Sequence, residues 1–298
     1  MNHFSQALLR WYKRYGRDLP WRHTRDSYAI LVSEIMLQQT QVDRVIQYYQ
    51  TWMSRFPDWK TLSRATTPEI LEAWAGLGYN RRALSLRAIA QYIVNHGQPQ
   101  NETEWKILKG IGDYTAAAVS LFALNQRVLP IDTNIRRVLG RVFLGIPYPQ
   151  LRHDKRIQRR LDDILPKHGR YADIAQALFD LATITCKKIP DCASCPLQKD
   201  CKAASKFLSN RVRIPKQMIK KPIERRHRNK PYPDRIYRGR ILKLVREHKH
   251  ISISSIGRHI DPDFDKDLDT IWVQDIIDRM IKDKLLHKTK QSLHLSHC

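Results

Sequence analysis

The sequence predicts a mainly helical protein that ends in a small module of helices and a hairpin. Apolar residues recur at three and four positions from residue 1 to about residue 205, which is the period of an amphipathic helix. Over 233–298, three short helical segments precede a stretch of alternating polarity at 285–295. At 298 residues the chain suits two or three compact units, and its 42% hydrophobic content excludes a disordered chain.

Glycine and proline turns separate the expected helices of the first 205 residues. Residues 27–56 predict one or two long helices. The other helices are expected at 82–96, 113–124, 134–144, 154–167 and 171–185. Turns are expected at the glycines of 76–78 and 110–112 and at Pro147 and Pro149.

The C-terminal segment predicts a winged-helix-like module of helices and a β-ribbon. Its helices are expected at 235–249, 254–259 and 270–284, before the hairpin. The third helix of such a module normally enters the DNA major groove. Residues 261–283, however, carry eight Asp against three Lys and Arg, and phosphates would repel them. Groove reading, a protein contact and a purely structural role therefore all stay open.

Net charge is the unusual property of the composition. The chain has 53 Lys and Arg against 29 Asp and Glu, a formal net charge of +24. Such a field attracts polyanions, nucleic acid above all, although a membrane surface is also compatible with it. No run of eighteen apolar residues and no signal-peptide core is visible, so we expect a cytoplasmic, nucleoid-associated chain.

A basic linker is expected at 206–232, ahead of the C-terminal module. Residues 206–230 hold ten Lys and Arg, one Glu and two prolines, a composition too polar for a core. We expect this segment to lie along DNA phosphates, and a solvated tether without contacts is the alternative.

Four of the five cysteines are clustered near the end of the helical region. Cys186, Cys192, Cys195 and Cys201 have the spacing C-x5-C-x2-C-x5-C. In a reducing compartment such a cluster indicates a metal site rather than disulfides. Zinc and iron–sulfur clusters both accept four thiolates, and the spacing alone does not choose between them.

A glycine-bounded hairpin at 108–115 precedes the helix expected at 113–124. Gly110 and Gly112 would let backbone N–H groups approach a phosphate, and the helix start adds its positive end. Such a hairpin holds DNA through its backbone without reading sequence. An ordinary helix–helix turn is the alternative interpretation.

Two carboxylates stand out as candidate catalytic groups. On a helix, Glu34 has Ile30, Leu31 and Leu37 as neighbours, so poor solvation should raise its pKa and let it donate a proton near neutral pH. Asp132 follows an apolar segment and precedes a helix, where an N-cap is the simple interpretation. An ionised Asp132 could also stabilise a developing sugar cation, the division of roles that two carboxylates take at a glycosidic bond.

The order of these motifs resembles adenine DNA glycosylases of the endonuclease III, or helix-hairpin-helix, superfamily. The matching strings are LPWR at 19–22, SEIMLQQTQV at 33–42, GLGY at 76–79, the hairpin at 108–115, DTN at 132–134 and QAL at 176–178. The resemblance covers roughly residues 3–205. SEIMLQQT is its most specific string, whereas the hairpin belongs to the whole superfamily.

The resemblance implies a glycosylase core over 1–205 that acts as a monomer on double-stranded DNA with mismatched or oxidised base pairs. A six-helix barrel at about 24–130 would join a [4Fe–4S] domain made of 1–23 and 131–205, with DNA between them. The enzyme would flip adenine out of a pair with guanine or 8-oxoguanine. Glu34 would protonate the base and help activate water, and Asp132 would stabilise the sugar cation.

The resemblance also implies roles for further residues. Tyr114 and Asn134 would position the catalytic groups. The base pocket would comprise Arg17, Trp21, Arg22, Leu37 and Gln176. DNA contacts would come from Gln39, Thr40, Leu77, Tyr79, Lys109, Gly110 and Gly112, with Gln39 and Tyr79 wedged into the base stack. The four cysteines would bind the cluster. Tyr114 stands where strand-cleaving relatives keep a nucleophilic lysine, so we expect a monofunctional glycosylase, although Lys109 leaves weak lyase activity open.

Four departures and three alternatives accompany the resemblance. The first cysteine gap is five residues instead of six, Thr133 replaces a glycine, and Lys109 replaces a proline. The C-terminal module does not resemble the Nudix-like domain that recognises 8-oxoguanine. A thymine or uracil mismatch glycosylase, a bifunctional endonuclease III-like enzyme and a non-catalytic, zinc-stabilised DNA-binding protein are the alternatives.

Overall fold

A computed structural model describes residues 2–215, 224–228, 230–248, 251–290 and 292–296. Its helices are α1 (His3–Tyr15), α2 (Ser27–Leu37), α3 (Val42–Arg55), α4 (Trp59–Arg64), α5 (Thr67–Ala73), α6 (Arg81–His96), α7 (Glu102–Ile107), α8 (Asp113–Phe122), α9 (Thr133–Leu144), α10 (Asp154–Gln158), α11 (Leu161–Ile164), α12 (Tyr171–Ile184), α13 (Ala204–Leu208), α14 (Asp234–Glu247), α15 (Ile253–Ile260) and α16 (Lys266–Lys282). Its strands are β1 (Ile251–Ser252), β2 (Leu286–Lys288) and β3 (Ser292–Leu295). The predicted mainly helical fold with a small C-terminal sheet is thus confirmed.

Two segments differ from the helices that the sequence predicted. The single helix expected at 154–167 is two short helices, α10 and α11, and Leu165 is already extended because Pro166 follows it. The last helix begins at Lys266 rather than 270, because the Asp265 side chain caps it by accepting from the N–H groups of Asp267 and Leu268.

The chain divides into two compact units. The first unit comprises 1–38 and 97–216, and the second comprises 39–96 and 217–298. In the first unit, α12 packs against α1 and α9. The hydrophobic core of this unit includes Leu8, Leu139 and Leu178. The second unit contains α3–α6 and the C-terminal module. No helix within the described ranges is long and apolar enough to cross a membrane.

The C-terminal module has the element order helix, strand, helix, helix, strand, strand. Its antiparallel sheet has the order β1-β3-β2, with Ile251 opposite Leu293 and Leu286 opposite Leu295. This is the winged-helix-like arrangement that the sequence predicted. Residue 249 of the expected helix, residue 291 of the expected hairpin, and residues 216–223 and 229 of the basic linker lie outside the described residues.

Candidate active site

Glu34 lies within a helix that is buried on all sides. Every residue of α2 from Ser27 to Met36 is buried, as expected of a helix that is apolar around its whole circumference. α2 packs against α8, and only 7% of Glu34 is exposed. The apolar neighbours that the sequence placed around Glu34 thus remove its carboxyl group from bulk water.

Tyr114 is the hydrogen-bond partner of Glu34. It lies in the first turn of α8, directly after the hairpin, and its hydroxyl donates to Oε2 of Glu34 at 2.8 Å. Burial and the negative charges of Glu34 and Asp132 raise the pKa of Tyr114 well above its ordinary value. The phenol therefore stays protonated and acts as a donor toward Glu34.

The pKa of Glu34 is raised from 4.5 to about 7. Burial is the largest cause; the hydrogen bond from Tyr114 lowers the pKa, and the negative charge of Asp132 raises it. A carboxyl group with this pKa is partly protonated at neutral pH. It can donate a proton and then act as a base.

Asp132 caps α9 with both oxygens. Its Oδ1 accepts from the N–H groups of Asn134 at 2.8 Å and Ile135 at 2.7 Å, and its Oδ2 accepts from Asn134 Nδ2 at 2.8 Å. The pKa of Asp132 is raised above its ordinary value, because burial outweighs these hydrogen bonds and the charge of Arg137, which lower it. The N-cap role and a charge-stabilising role are compatible, because three donors favour the ionised form.

Arg137 fixes the orientation of Asn134. It donates to Asn134 Oδ1 at 3.1 Å, which leaves the amide nitrogen of Asn134 directed at Asp132. The same guanidinium donates to the carbonyl groups of Cys186 at 2.8 Å and Ala182 at 3.0 Å. The start of α9 is therefore tied to the end of α12, where the cysteine segment begins.

Three predicted base-pocket residues line one cavity of about 320 Å³: Trp21, Arg22 and Gln176. Arg17 instead pairs with Asp180, its Nε 2.7 Å from Oδ1, and Leu37 is half-buried at the end of α2. The cavity is large enough for a nucleobase and is bordered by both apolar and donor groups, but its lining does not include Glu34 or Asp132.

Sequence reasoning missed Asp180 and Tyr12. Asp180 is completely buried and accepts from Arg22 at 2.8 Å as well as from Arg17. Burial tends to raise the pKa of Asp180, but the two guanidinium groups hold it below its usual range. The Tyr12 hydroxyl donates to Gln176 Oε1 at 2.8 Å, which leaves the amide nitrogen of Gln176 as the group available to a base. An Asp on the apolar helix α12 was the available signal.

The hairpin has the backbone that its glycines predicted. Gly110 has φ of +99°, Gly112 precedes the first residue of α8, and the side chain of Ile111 is buried. Lys109, Gly110 and Gly112 are exposed. The hairpin therefore presents backbone N–H groups and one cation at a helix start, an arrangement suited to an anion.

The predicted wedge residues belong to the second unit, and their exposure differs. Gln39 and Tyr79 both have left-handed backbone, with φ of +59° and +48°, and Tyr79 is 58% exposed. Thr40 is half-buried and is within 3.3 Å of Arg82. Leu77 is buried, so its side chain is not available to DNA, contrary to the expectation from the sequence.

Side chains from the surrounding helices hold the loop at 75–79. Tyr48 donates to the carbonyl of Ala75 at 2.9 Å, and Arg44 donates to the carbonyl of Gly76 at 2.5 Å. The carbonyl of Gly78 accepts from both Trp74 at 3.0 Å and Arg82 at 3.1 Å. Tyr79 thus projects from a braced loop.

All four clustered cysteines line one small cavity. Burial raises the pKa of Cys195 to about 12 and also raises the pKa values of Cys192 and Cys201. Arg141 donates to Sγ of Cys186 at 3.4 Å. Across the described residues, no three His, Cys, Asp or Glu side chains are spaced to hold a single metal ion.

The helical fold, the hairpin and the Glu34–Asp132 pair define a helix-hairpin-helix protein of DNA base repair. The sequence model of the HhH-GPD superfamily base excision DNA repair proteins matches residues 32–167. A solved thermostable thymine-DNA glycosylase is 30% identical, with a TM-score of 0.63, over 68% of this chain and 95% of its own. The chain belongs to the HhH-GPD superfamily.

Curated relatives named adenine DNA glycosylase match the same region. The identity is 40% with the protein of Mycobacterium tuberculosis, 37% with that of Homo sapiens and 36% with that of Arabidopsis thaliana. These matches cover 65%, 67% and 69% of this chain, and 66%, 39% and 37% of the relatives. A trapped endonuclease III–DNA intermediate shares the fold, with a TM-score of 0.58 at 17% identity over 70% of this chain and 99% of its own.

Proposed function

We propose that this chain is a monofunctional DNA glycosylase that hydrolyses the N-glycosidic bond of adenine paired with guanine or 8-oxoguanine. The observation that carries the proposal is the buried carboxyl group of Glu34, with a pKa of about 7, beside Asp132, which accepts three hydrogen bonds. Two carboxyl groups with separated roles are what cleavage of a glycosidic bond requires. The names of the curated relatives support adenine as the base.

The reaction follows from the protonation states of the two carboxyl groups. Protonated Glu34 donates its proton to N7 of the flipped adenine, and the bond to the sugar breaks with its electron pair leaving on the base. Ionised Asp132 stabilises the oxocarbenium-like sugar. Glu34, now a carboxylate, accepts a proton from the water that adds to the sugar. The products are free adenine and an intact strand with an abasic site.

Tyr114 makes the enzyme monofunctional. A lyase reaction needs an amine that forms a Schiff base with the sugar, and a phenol cannot form one. The hydroxyl of Tyr114 is in any case bonded to Glu34. Lys109 in the exposed hairpin is the nearest amine in sequence and would allow at most a slow secondary lyase reaction.

DNA contacts in this proposal are non-specific in sequence. The hairpin binds phosphate through the N–H groups around Gly110 and Gly112 and through Lys109. Gln39, Thr40 and Tyr79 contact the stack and the opposite strand. The partner is double-stranded DNA with a mispaired or oxidised base, and the chain acts on it as a monomer.

Cys186, Cys192, Cys195 and Cys201 would hold a [4Fe–4S] cluster. Their convergence on one cavity supports a shared metal centre. When bound, the cluster would supply a covalent brace for an otherwise irregular segment. The residues of the chain carry the proton transfers.

A thymine glycosylase is the second candidate, because the solved thymine-DNA glycosylase is 30% identical to this chain. Glu34 favours adenine, since thymine lacks a ring nitrogen that a buried acid could protonate as it does N7 of a purine.

The test is single-turnover base release from duplexes with adenine opposite 8-oxoguanine, adenine opposite guanine and thymine opposite guanine. We expect release of adenine, loss of release in Glu34→Gln, and strand cleavage only after alkali. Glu247→Gln is the matched control, because Glu247 is an exposed residue on α14. Release of thymine without adenine would reject the assignment.

A further inference from the structure

The acidic residues of the C-terminal module are largely neutralised from within the chain. Lys230 lies 2.6 Å from both Asp261 and Asp269, whose side chains are only 2% exposed. Arg225 is 3.0 Å from Asp275. These cations come from the end of the basic linker, so this part of it stabilises the module.

The outward face of α16 remains unsuitable for DNA. Asp267 and Asp278 are exposed, and so are two apolar side chains, Leu268 at 51% and Ile271 at 82%. Phosphates would be repelled by the carboxylates and would gain nothing from the apolar groups. These side chains disfavour entry of α16 into the major groove, which is the usual role of the third helix in such a module.

Three lysines of the module lie on the hairpin or just before it. We call Lys284, Lys288 and Lys290, together with His287, the basic wing; all four side chains are exposed. Antiparallel pairing of β2 with β3 and the hydrogen bond from the Thr289 N–H to the Ser292 carbonyl order this hairpin. Over the described part of the chain, none of the three lysines is ion-paired with a carboxylate.

The basic wing adjoins the helix that follows the Tyr79 loop. Asp283, next to Lys284, lies 3.4 Å from Arg81, and Arg81 is two residues after Tyr79. Leu71 of α5 and Leu84 of α6 pack in the same hydrophobic cluster as the core of the module. The wing and the loop are thus parts of one compact unit. Lys284 and Tyr79 each lie within two residues of the Asp283–Arg81 ion pair.

We propose that the basic wing is a second DNA-backbone contact, which binds duplex phosphates next to the point where the Tyr79 loop meets DNA. The proposal deepens the proposed function, on which it rests for the identity of the partner. Exposed lysines without carboxylate partners are complementary in charge to phosphates, and the ordered hairpin fixes the spacing of these lysines. The module would then enlarge the DNA footprint without reading bases.

The test measures binding of the full-length protein to a fully paired duplex at several salt concentrations. In the triple variant Lys284→Glu/Lys288→Glu/Lys290→Glu, the negative slope of log affinity against log salt should become shallower by about 2.7, because each lost phosphate contact accounts for roughly 0.9. In Lys284→Glu alone the slope should become shallower by about 0.9. Lys266→Glu is the matched control, because it stands at the other end of the 17-residue α16, about 25 Å away.

Equal slopes for Lys284→Glu and Lys266→Glu would overturn the proposal. A hydroxyl-radical footprint locates the contact of the basic wing on DNA. The triple variant should lose protection at phosphates that border those shielded by the Tyr79 loop. An unchanged footprint would also overturn the proposal. Ile271→Glu should leave DNA affinity unchanged, whereas a loss there would favour groove reading by α16. A fully paired duplex needs no chemistry, so a failure of adenine release would count against the proposed function alone.

Discussion

The Tyr114 hydroxyl is 2.8 Å from Oε2 of Glu34, and this one bond opposes the effect of burial on the acid. Removing the donor in Tyr114→Phe should raise the pKa of Glu34 further, because the ionised form loses its hydrogen bond. The pH profile of single-turnover adenine release should therefore shift its Glu34-dependent limb to higher pH. Tyr92→Phe, at an exposed residue of α6, is the control. An unshifted profile would mean that the bond does not act on Glu34.

Glu34 should also make stability depend on pH. Its pKa is about 7 in the folded chain and 4.5 as the ordinary value, so the folded state binds more protons between these values. Its contribution to stability is complete below about pH 4.5 and is lost as pH rises through about 7. Above pH 7, Glu34→Gln should be more stable than the wild type by roughly 3 kcal/mol, the equivalent of about 2.5 pKa units. Urea unfolding at pH 5 and pH 8 measures the difference, and a pH-independent difference would contradict it.

Local sequence patterns anticipated the parts of the site that depend on local geometry. The apolar residues at three and four positions from Glu34 predicted its burial, and the position of Asp132 before a helix predicted its cap. The glycines of the hairpin predicted its positive φ. In each case the cause lies within one turn of the chain.

Contacts between distant segments could not be predicted in the same way. Asp180 meets Arg17 across 163 positions and Arg22 across 158. Lys230 meets Asp261 and Asp269 only after the module has folded. In the composition these residues only count toward the net charge. The tertiary structure shows that they neutralise one another.

Asp180 should be essential for the proposed base pocket to fold. Asp180→Asn would leave Arg22, whose side chain is 8% exposed, without its anion. Breaking a buried ion pair from one side costs about 3–5 kcal/mol. We expect a loss of this size in thermal unfolding, together with weaker adenine release. Asp173→Asn, at a half-buried position of the same helix, should change stability by less than about 1 kcal/mol. Equal stability of the two variants would contradict a structural role for Asp180.

The four clustered cysteines lead us to predict the metal content of the protein. Purified protein should contain the iron and sulfide of one [4Fe–4S] cluster and absorb visible light, and Cys201→Ser should reduce both. Cys298→Ser is the matched control, because Cys298 lies outside the predicted ligand set. Stoichiometric zinc without iron would contradict the cluster assignment and leave the carboxylate chemistry untouched.

Lys230 should hold the C-terminal module together. Its ammonium group lies between Asp261 and Asp269, and these carboxylates would repel each other without it. Burial tends to raise the pKa of Asp269, but Lys230 and neighbouring hydrogen-bond donors hold it below its usual range. Lys230→Met should therefore destabilise the module by about 3 kcal/mol. Hydrogen exchange at the amides of α14 and α16 measures this locally.

The rescue of Lys230→Met separates charge from packing. Adding Asp261→Asn and Asp269→Asn removes both unpaired charges, so protection of α16 should recover most of its wild-type value. Lys266→Met, at an exposed position of the same helix, should leave protection unchanged. If the triple variant exchanged as fast as Lys230→Met, the two carboxylates would not be the cause of the loss, and the contact of the Lys230 ammonium group with the Trp272 ring, 5.8 Å from the ring centroid, would account for it.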